Sequence, residues 1–446
     1  MKPSIARALR ATTLAAASLG AMLAPLAASA QDFAITNATV ATGDGSEPVQ
    51  NGTVVVRGGK IVAAGAGIAV PAGVQTIDGS GKWVTPGLFS AVTDLGLWDV
   101  EGIPNSNDTE ADETPFNAAL DVAPALNPQG EPIVVSRAGG VTRASVAPAN
   151  GGSIFAGQGA LIDLGADPKI LNRARVFQYV QLGERGASLA GGSRVAAHVV
   201  LHNALREAQD LASAPATADR KSDAMLTHAD AVALAPVLTG EQALYVQVER
   251  AADIRSVLAL KQEFPKLRLV LVGATEGWRV ASEIAAAGVP VITMPMRDLP
   301  EEFETLASTQ SNMGRMVKAG VKVAIGMFQG SNQSRYAPQQ AGNMVALNKL
   351  PGAAGLTWGQ AFAAITSIPA EISGVGGQNG GTRDGVLAPG AVGDVVVWDG
   401  DPLELSSAPL SVYIDGVEQP LDSHQTRLRE RYKDLERPYL PKAYDW

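Results

Sequence analysis

The residue types that most often bind metals or attack carbonyls are scarce in this chain. There are 4 histidines and no cysteine, which removes disulfides, thiolate nucleophiles and zinc–thiolate sites. His198 and His202 stand four residues apart in the helical stretch SRVAAHVVLHNALREAQD. Both rings therefore share one face, at the spacing of helical zinc pairs. A third ligand is missing: Glu207 lies off that face, and Val195 and Leu205 make it half apolar. Packing or surface histidines are the better reading. His228, in MLTHADAVAL, reads as a helix-entry residue, and His424 sits in a polar tail.

Acidic and glycine-rich stretches offer two further candidates. PNSNDTEADETP places Asp108, Glu110, Asp112 and Glu113 close together. Oxygen ligands of this kind suit calcium, but the EF-hand spacing and its glycine are absent, so a solvated acidic loop is expected. GGSIFAGQG, residues Gly151 to Gly159, lacks the Lys-Ser/Thr of a nucleotide loop. It reads as a loop at a site entrance, with Gln158 a ligand candidate and a structural turn the better reading. No G-x-S-x-G elbow occurs, so hydrolysis by that kind of serine is unsupported.

These residues must be positioned by a larger frame. Residues 1–30 have a basic start (Lys2, Arg7, Arg10), a short apolar core and Ala28-Ser29-Ala30 before Gln31. That is an export signal cleaved after Ala30, and a secreted or periplasmic chain with no membrane span in its mature form is expected. The formal net charge is −9 and falls further once those basic residues leave. Such a surface repels phosphate backbones, so nucleic acid is not an expected partner.

Residues 31–86 read as short strands, with hairpin turns at Asn51-Gly52 and Gly58-Gly59. Similar texture returns at 385–420, where Asp-Gly turns break GDVVVWDGDPL and SVYIDGVEQP. Between them, residues 87–384 alternate strand-like runs with helical segments. The strand candidates include Val134-Val135, VTRASVA, QALYVQVE, LRLVLVG, VPVITMP and VKVAIGM. This alternation predicts an α/β fold: a (β/α)8 TIM-like barrel, with a small β-sandwich domain built from both chain ends. The charged, then Pro- and Tyr-rich 421–446 forms a C-terminal tail.

Three motifs carry a resemblance. GKWVTPGLFSAVTDLG is similar to the strand-one entry of the amidohydrolase superfamily, in its imidazolonepropionase-like and prolidase-like branch. AITSIPAEISGV resembles that family's late helix, and GVLAPGAVGDVVVWDGDPL its return into the β-sandwich. The resemblance implies hydrolysis of carbon–nitrogen bonds by hydroxide on zinc or another divalent metal. The metal would be held by a His-x-His pair on strand one, later single histidines and an aspartate on strand eight.

Carried over residue by residue, the pattern fails. The His-x-His positions hold Val92 and Asp94, the next ligand position holds Gln247, the following one falls near Gly273, and the aspartate position holds Phe328. No metal or other cofactor is therefore expected. The resemblance then implies a pseudoenzyme that binds a ligand, or partners an active homologue in a mixed oligomer, with a homo-oligomer as the other assembly. Asp94, Gln158, Gln247 and Glu276 are the candidates for a small-molecule pocket, and Glu249, Arg250 and Asp253 for local pairs at the barrel rim. The alternative is an active hydrolase of cyclic amides or dipeptides with a relocated site led by Asp94 and the acidic loop.

Overall fold

The computed structural model describes residues 30–100, 102–213, 222–330, 333–377 and 383–433. The expected export signal lies outside them except for Ala30, as does the tail beyond residue 433. Valine-rich runs near both ends form one eight-stranded sheet. From the front of the chain come β1 (Phe33–Val40), β2 (Val49–Arg57), β3 (Lys60–Ala66), β4 (Gln75–Asp78) and β5 (Trp83–Pro86). Gly58-Gly59 turns β2 into β3 with φ of 55° and 72°, as the two-residue hairpin requires. Asn51-Gly52 is not a turn. It lies inside β2 with Gly52 paired to Ala38 and Ala66, and Asn51 takes φ 53° where the register shifts. The strand continues through it as a bulge.

The barrel follows. Its early elements are β6 (Leu88–Thr93), helix α1 (Glu131–Ala138), β7 (Val141–Val146), β8 (Phe155–Asp163) and β9 (Leu171–Gln181). Next come α2 (Gly183–Leu189), α3 (Arg194–Ser213), α4 (His228–Thr239) and β10 (Ala243–Val248). Then follow α5 (Ala251–Glu263), β11 (Leu269–Gly273), α6 (Ala281–Ala286), β12 (Val291–Thr293), α7 (Asn312–Lys318) and β13 (Val323–Phe328). Strands β6 to β13 close on themselves.

Two local expectations are corrected here. Val134-Val135 belongs to helix α1, not to a strand, because Pro132 opens the segment at its first turn, where proline favours a helix start. GGSIFAGQG is not a loop throughout: from Phe155 it is β8, and it runs antiparallel to both β7 and β9 while the other barrel pairs are parallel. Glycine makes this strand possible. A Cβ on Gly159 would lie 2.0 Å from the Phe177 ring.

After α8 (Ala337–Leu347), α9 (Trp358–Ala363) and α10 (Ser367–Ile372), the chain returns to the sheet. It adds β14 (Val395–Trp398), β15 (Pro409–Ile414) and β16 (Val417–Glu418), and ends the described part with α11 (His424–Tyr432). Arg143 on β7 ties barrel to sheet. Its guanidinium donates to Asp394 Oδ2 at 2.9 Å and Oδ1 at 3.1 Å, and to Asp415 Oδ1 at 2.7 Å. Asp394 and its neighbours hold that buried guanidinium well above its usual pKa despite desolvation.

Candidate functional site

In a barrel, the loops after the strands build the site, so the carboxyl ends of β6, β10, β11 and β13 are the place to look. Backbone strain gathers there. Val92, Ala274 and Met327 take φ of 57°, 49° and 65°. A β-branched residue rarely adopts this conformation, at a cost of roughly 1–2 kcal/mol. Val92 is held in it by a register shift between β6 and β7 and by the bond from its amide to Ser145 Oγ at 3.0 Å. Such strain is typical of functional rims.

The lumen below is filled. Phe177 and Tyr245 stack with ring centres 4.2 Å apart, surrounded by Val92, Tyr179, Val272 and Met327. Above the stack, Tyr179 Oη donates to Gln247 Oε1 at 2.7 Å. Burial pushes the Tyr179 phenol well above its usual range, and Glu249 nearby adds to this.

Glu249 is the residue that sequence reasoning undervalued. It was expected to pair with Arg250 and Asp253. Those two do pair, at 2.8 Å, but Glu249 turns to the next strand. Its Oε2 accepts from Thr275 N at 3.0 Å and Thr275 Oγ1 at 2.6 Å, while Oε1 has no partner among the described residues. Burial raises its pKa, against the opposing effect of the Thr275 bonds. A Cβ on Gly273 would lie 2.2 Å from Glu249 Oε1, so this carboxyl fills the space that a side chain at 273 would need. The signal was available: Glu249, one residue past the end of β10, follows Gln247 by two residues, which puts both on one face of an extended chain.

The four pocket candidates do not converge. Asp94 accepts from Gly330 N at 2.7 Å and, with Trp98, Glu131 and Phe328, lines a cavity of about 500 Å³ beside α1. Gln247 stays at the top of the lumen. Gln158 leaves the set: its amide meets Ala119 O at 3.4 Å and Gln242 Nε2 at 3.2 Å, because Gly157 and Gly159 take the inward positions on the reversed β8. Glu276 leaves it too. Its carboxylate accepts from Ala251 N at 3.1 Å and Ala307 N at 3.3 Å, so it caps the start of α5. Phe328 packs in the layer between strands and helices, while Met327 joins the lumen.

The other candidates are equally placed. His202 Nδ1 lies 2.9 Å from Glu263, and burial holds the pKa of His198 down. His228 is the first residue of α4, whose amino end Thr227 caps. His424 begins α11, its amide donating to Glu131. Asp108, Glu110, Asp112 and Glu113 lie on an exposed stretch. Arg194 and Glu304, which the sequence did not single out, clamp the rim. Arg194 donates to Asp253 at 3.0 Å and Glu304 at 2.9 Å.

The donor set tests the metal that the resemblance implies, and the residues do not fit it. Val92 offers no lone pair, Gln247 Oε1 is engaged by a phenol, Gly273 has no side chain, and Phe328 points elsewhere. Among the described residues no group of three or more His, Cys, Asp or Glu is arranged to hold an ion. The mouth offers hydrogen-bonding groups instead: the Tyr179 phenol, the Gln247 amide and the buried Glu249 carboxyl, whose pKa burial raises.

Comparison with known proteins fixes the fold. No family model matches the sequence. The chain is similar to an amidohydrolase from Thermotoga maritima, with TM-score 0.74 and 23% identity over 86% of this chain and 99% of that one. A triazine hydrolase variant matches with TM-score 0.52 and 17% identity over 90% and 98% of the two chains. A prolidase complexed with N-methylphosphonate-L-proline matches with TM-score 0.51 and 17% identity over 87% and 99%. Among curated proteins, Amidohydrolase tasK of Hapsidospora irregularis is 42% identical over 65 residues, 15% of this chain. The matched stretch spans 6% of that relative's length. The chain has the amidohydrolase fold, as its motifs led one to expect.

Proposed function

We propose, from an amidohydrolase fold with these side chains at its mouth, that the chain is an exported protein without a metal centre. It binds a small polar ligand at the barrel mouth, or partners an active homologue. The observation that carries this reading is Glu249 filling the space above Gly273, next to a Gln247 already bonded to Tyr179. A ligand histidine at either position would need both to be rebuilt. Among the described residues no helix is long and apolar enough to cross a membrane.

Elemental analysis tests the proposal. The protein is purified without chelators and offered zinc, manganese and calcium. Transition metal near zero per chain is the expected result. About one or two zinc ions per chain, removed by chelator together with activity on N-acyl or dipeptide substrates, would overturn it. Purification from the native host tests the partner version, which fails if only homo-oligomers are recovered.

One observation favours a second reading, a hydrolase of carbon–nitrogen bonds with a relocated site. A buried carboxyl of raised pKa is suited to donate a proton to a leaving amine, and Glu249 is such a group. On this reading Glu249→Gln abolishes turnover of dipeptides or cyclic amides, whereas absence of turnover in the unaltered protein rejects it.

A further inference from the structure

The opposite end of the barrel carries a concentration of positive charge on a chain that is net negative. A cavity of about 470 Å³ opens there against Ala243 and Val270 of the lumen floor, and Arg268, Lys261, Lys322 and Glu371 line it. Lys322 is paired with Glu371. Lys261 donates to Ala287 O at 3.0 Å. Arg268 has no carboxylate partner among the described residues, only the carbonyls of Gly240 and Glu241 at 3.4 Å each.

A second guanidinium stands beside it. Arg173 donates to Ser373 O at 3.2 Å, just past the end of α10, and likewise forms no ion pair among the described residues. Between the two arginines is a gap at Gly374. A Cβ built there would meet Arg173 Nη2 at 3.2 Å and Arg268 Nη2 at 3.8 Å and nothing else within 4 Å. Like charges this close repel, and the field of Arg268 adds to burial in holding the pKa of Arg173 down. Asp384 acts on Arg173 in the opposite sense but, with Glu371 already taken by Lys322, does not balance both guanidinium groups.

The buried side of the gap is polar. Tyr245 Oη and Ser373 Oγ lie near enough for the serine to lower the phenol's pKa, yet among the described residues neither reaches full hydrogen-bond geometry with a partner. Both residues are almost wholly buried, at 1% and 2% exposure. Buried hydroxyls are nearly always paired, so such a pair calls for an explanation. Both arginines also act on the Tyr245 phenol, which burial pushes up to about 12 despite them.

We propose that the barrel floor binds a small oxyanion, a phosphate or carboxylate group, between Arg173 and Arg268 with the Ser373 and Tyr245 hydroxyls beside it. Planar guanidinium forks match the oxygen geometry of both anions, and neutral hydroxyls donate to an anion without adding charge. Binding would relieve the arginine repulsion and satisfy the hydroxyls together. The site lies at the far end of the barrel from the mouth and does not depend on the reading given to the mouth.

The test is titration of the full chain with inorganic phosphate, and separately with acetate, at constant ionic strength set with chloride. Thermal unfolding and calorimetry are the readouts. Saturable stabilisation by at least one anion is expected, and Arg268→Gln, an exposed position, weakens binding by about tenfold or more. Arg173→Gln does the same, while Arg57→Gln, a surface arginine paired with Asp32, leaves binding unchanged. Stabilisation no greater than that by chloride, or equal in the Arg268→Gln and Arg57→Gln variants, would overturn the proposal and leave the arginines as partners of the surrounding carbonyls.

Discussion

Glu249 shows how one side chain changes the chemistry of a site. Its carboxyl is buried, and burial raises its folded pKa above the unfolded value of 4.5. The sign of the consequence follows from linkage. A carboxyl that holds its proton longer in the folded state disfavours folding as pH rises from the unfolded pKa through the folded one. Wild-type stability is therefore expected to carry a falling component above pH 4.5, and Glu249→Gln to remove it. Denaturant unfolding from pH 4 to 8 checks this. A slope as steep in the glutamine variant as in wild type would show that Glu249 is ionised in the fold. The same residue explains why a one-letter reading of ligand positions was incomplete: the group that fills the place of a side chain at 273 comes from a neighbouring strand.

At the scale of the element, β8 sets the shape of the barrel wall. Reversing one strand lets β7 reach β9 through β8 with no intervening helix, and it needs residues without side chains where Phe177 lies against the strand. Gly159→Ala should destabilise by about 1–3 kcal/mol, the usual cost of overpacking, because its Cβ would meet the Phe177 ring at 2.0 Å. Gly152→Ala, whose Cβ would meet only Asp112 O at 3.4 Å, is the control, expected within about 0.5 kcal/mol of wild type. Urea unfolding of both separates a packing role from a general intolerance of side chains in this stretch. Gly157 and Gly159 are thus strand residues, while Gly151 and Gly152 stay in the bend before β8.

Across the whole molecule, Arg143 joins the barrel to the sheet through Asp394 and Asp415 of its C-terminal part. Removing one partner of a buried ion pair leaves the other charge uncompensated, at about 3–5 kcal/mol. Arg143→Met should cost that much by leaving Asp394 without its guanidinium, and Arg143→Met with Asp394→Asn should recover a part of it. Additive losses in the double variant would mean that the pair contributes nothing to docking of the sheet on the barrel.

The sequence by itself determined the frame. Runs such as ALYVQV, LVLVG and VAIGMF are continuous and apolar because strands of a barrel are covered on both faces, and that pattern needs no tertiary information to be read. The Asp-Gly and Gly-Gly turns were legible for a similarly local reason: they permit backbone angles that other pairs resist. That Val92, Asp94, Gln247 and Phe328 stand where the resemblance would put ligands was likewise visible residue by residue. Only the tertiary structure decided what those positions face. Whether Asp94, Gln247 and Glu276 meet depends on which way each strand end faces and on which unpaired amide lies nearest. Helix α5 claims Glu276, and Gly330 claims Asp94. Asn51-Gly52 became a bulge because strands on both sides already fixed its register. Arg173 on β9 and Arg268 just before β11, far apart in sequence, form one site only because β10 alone separates those strands and the end of α10 lies across the barrel floor.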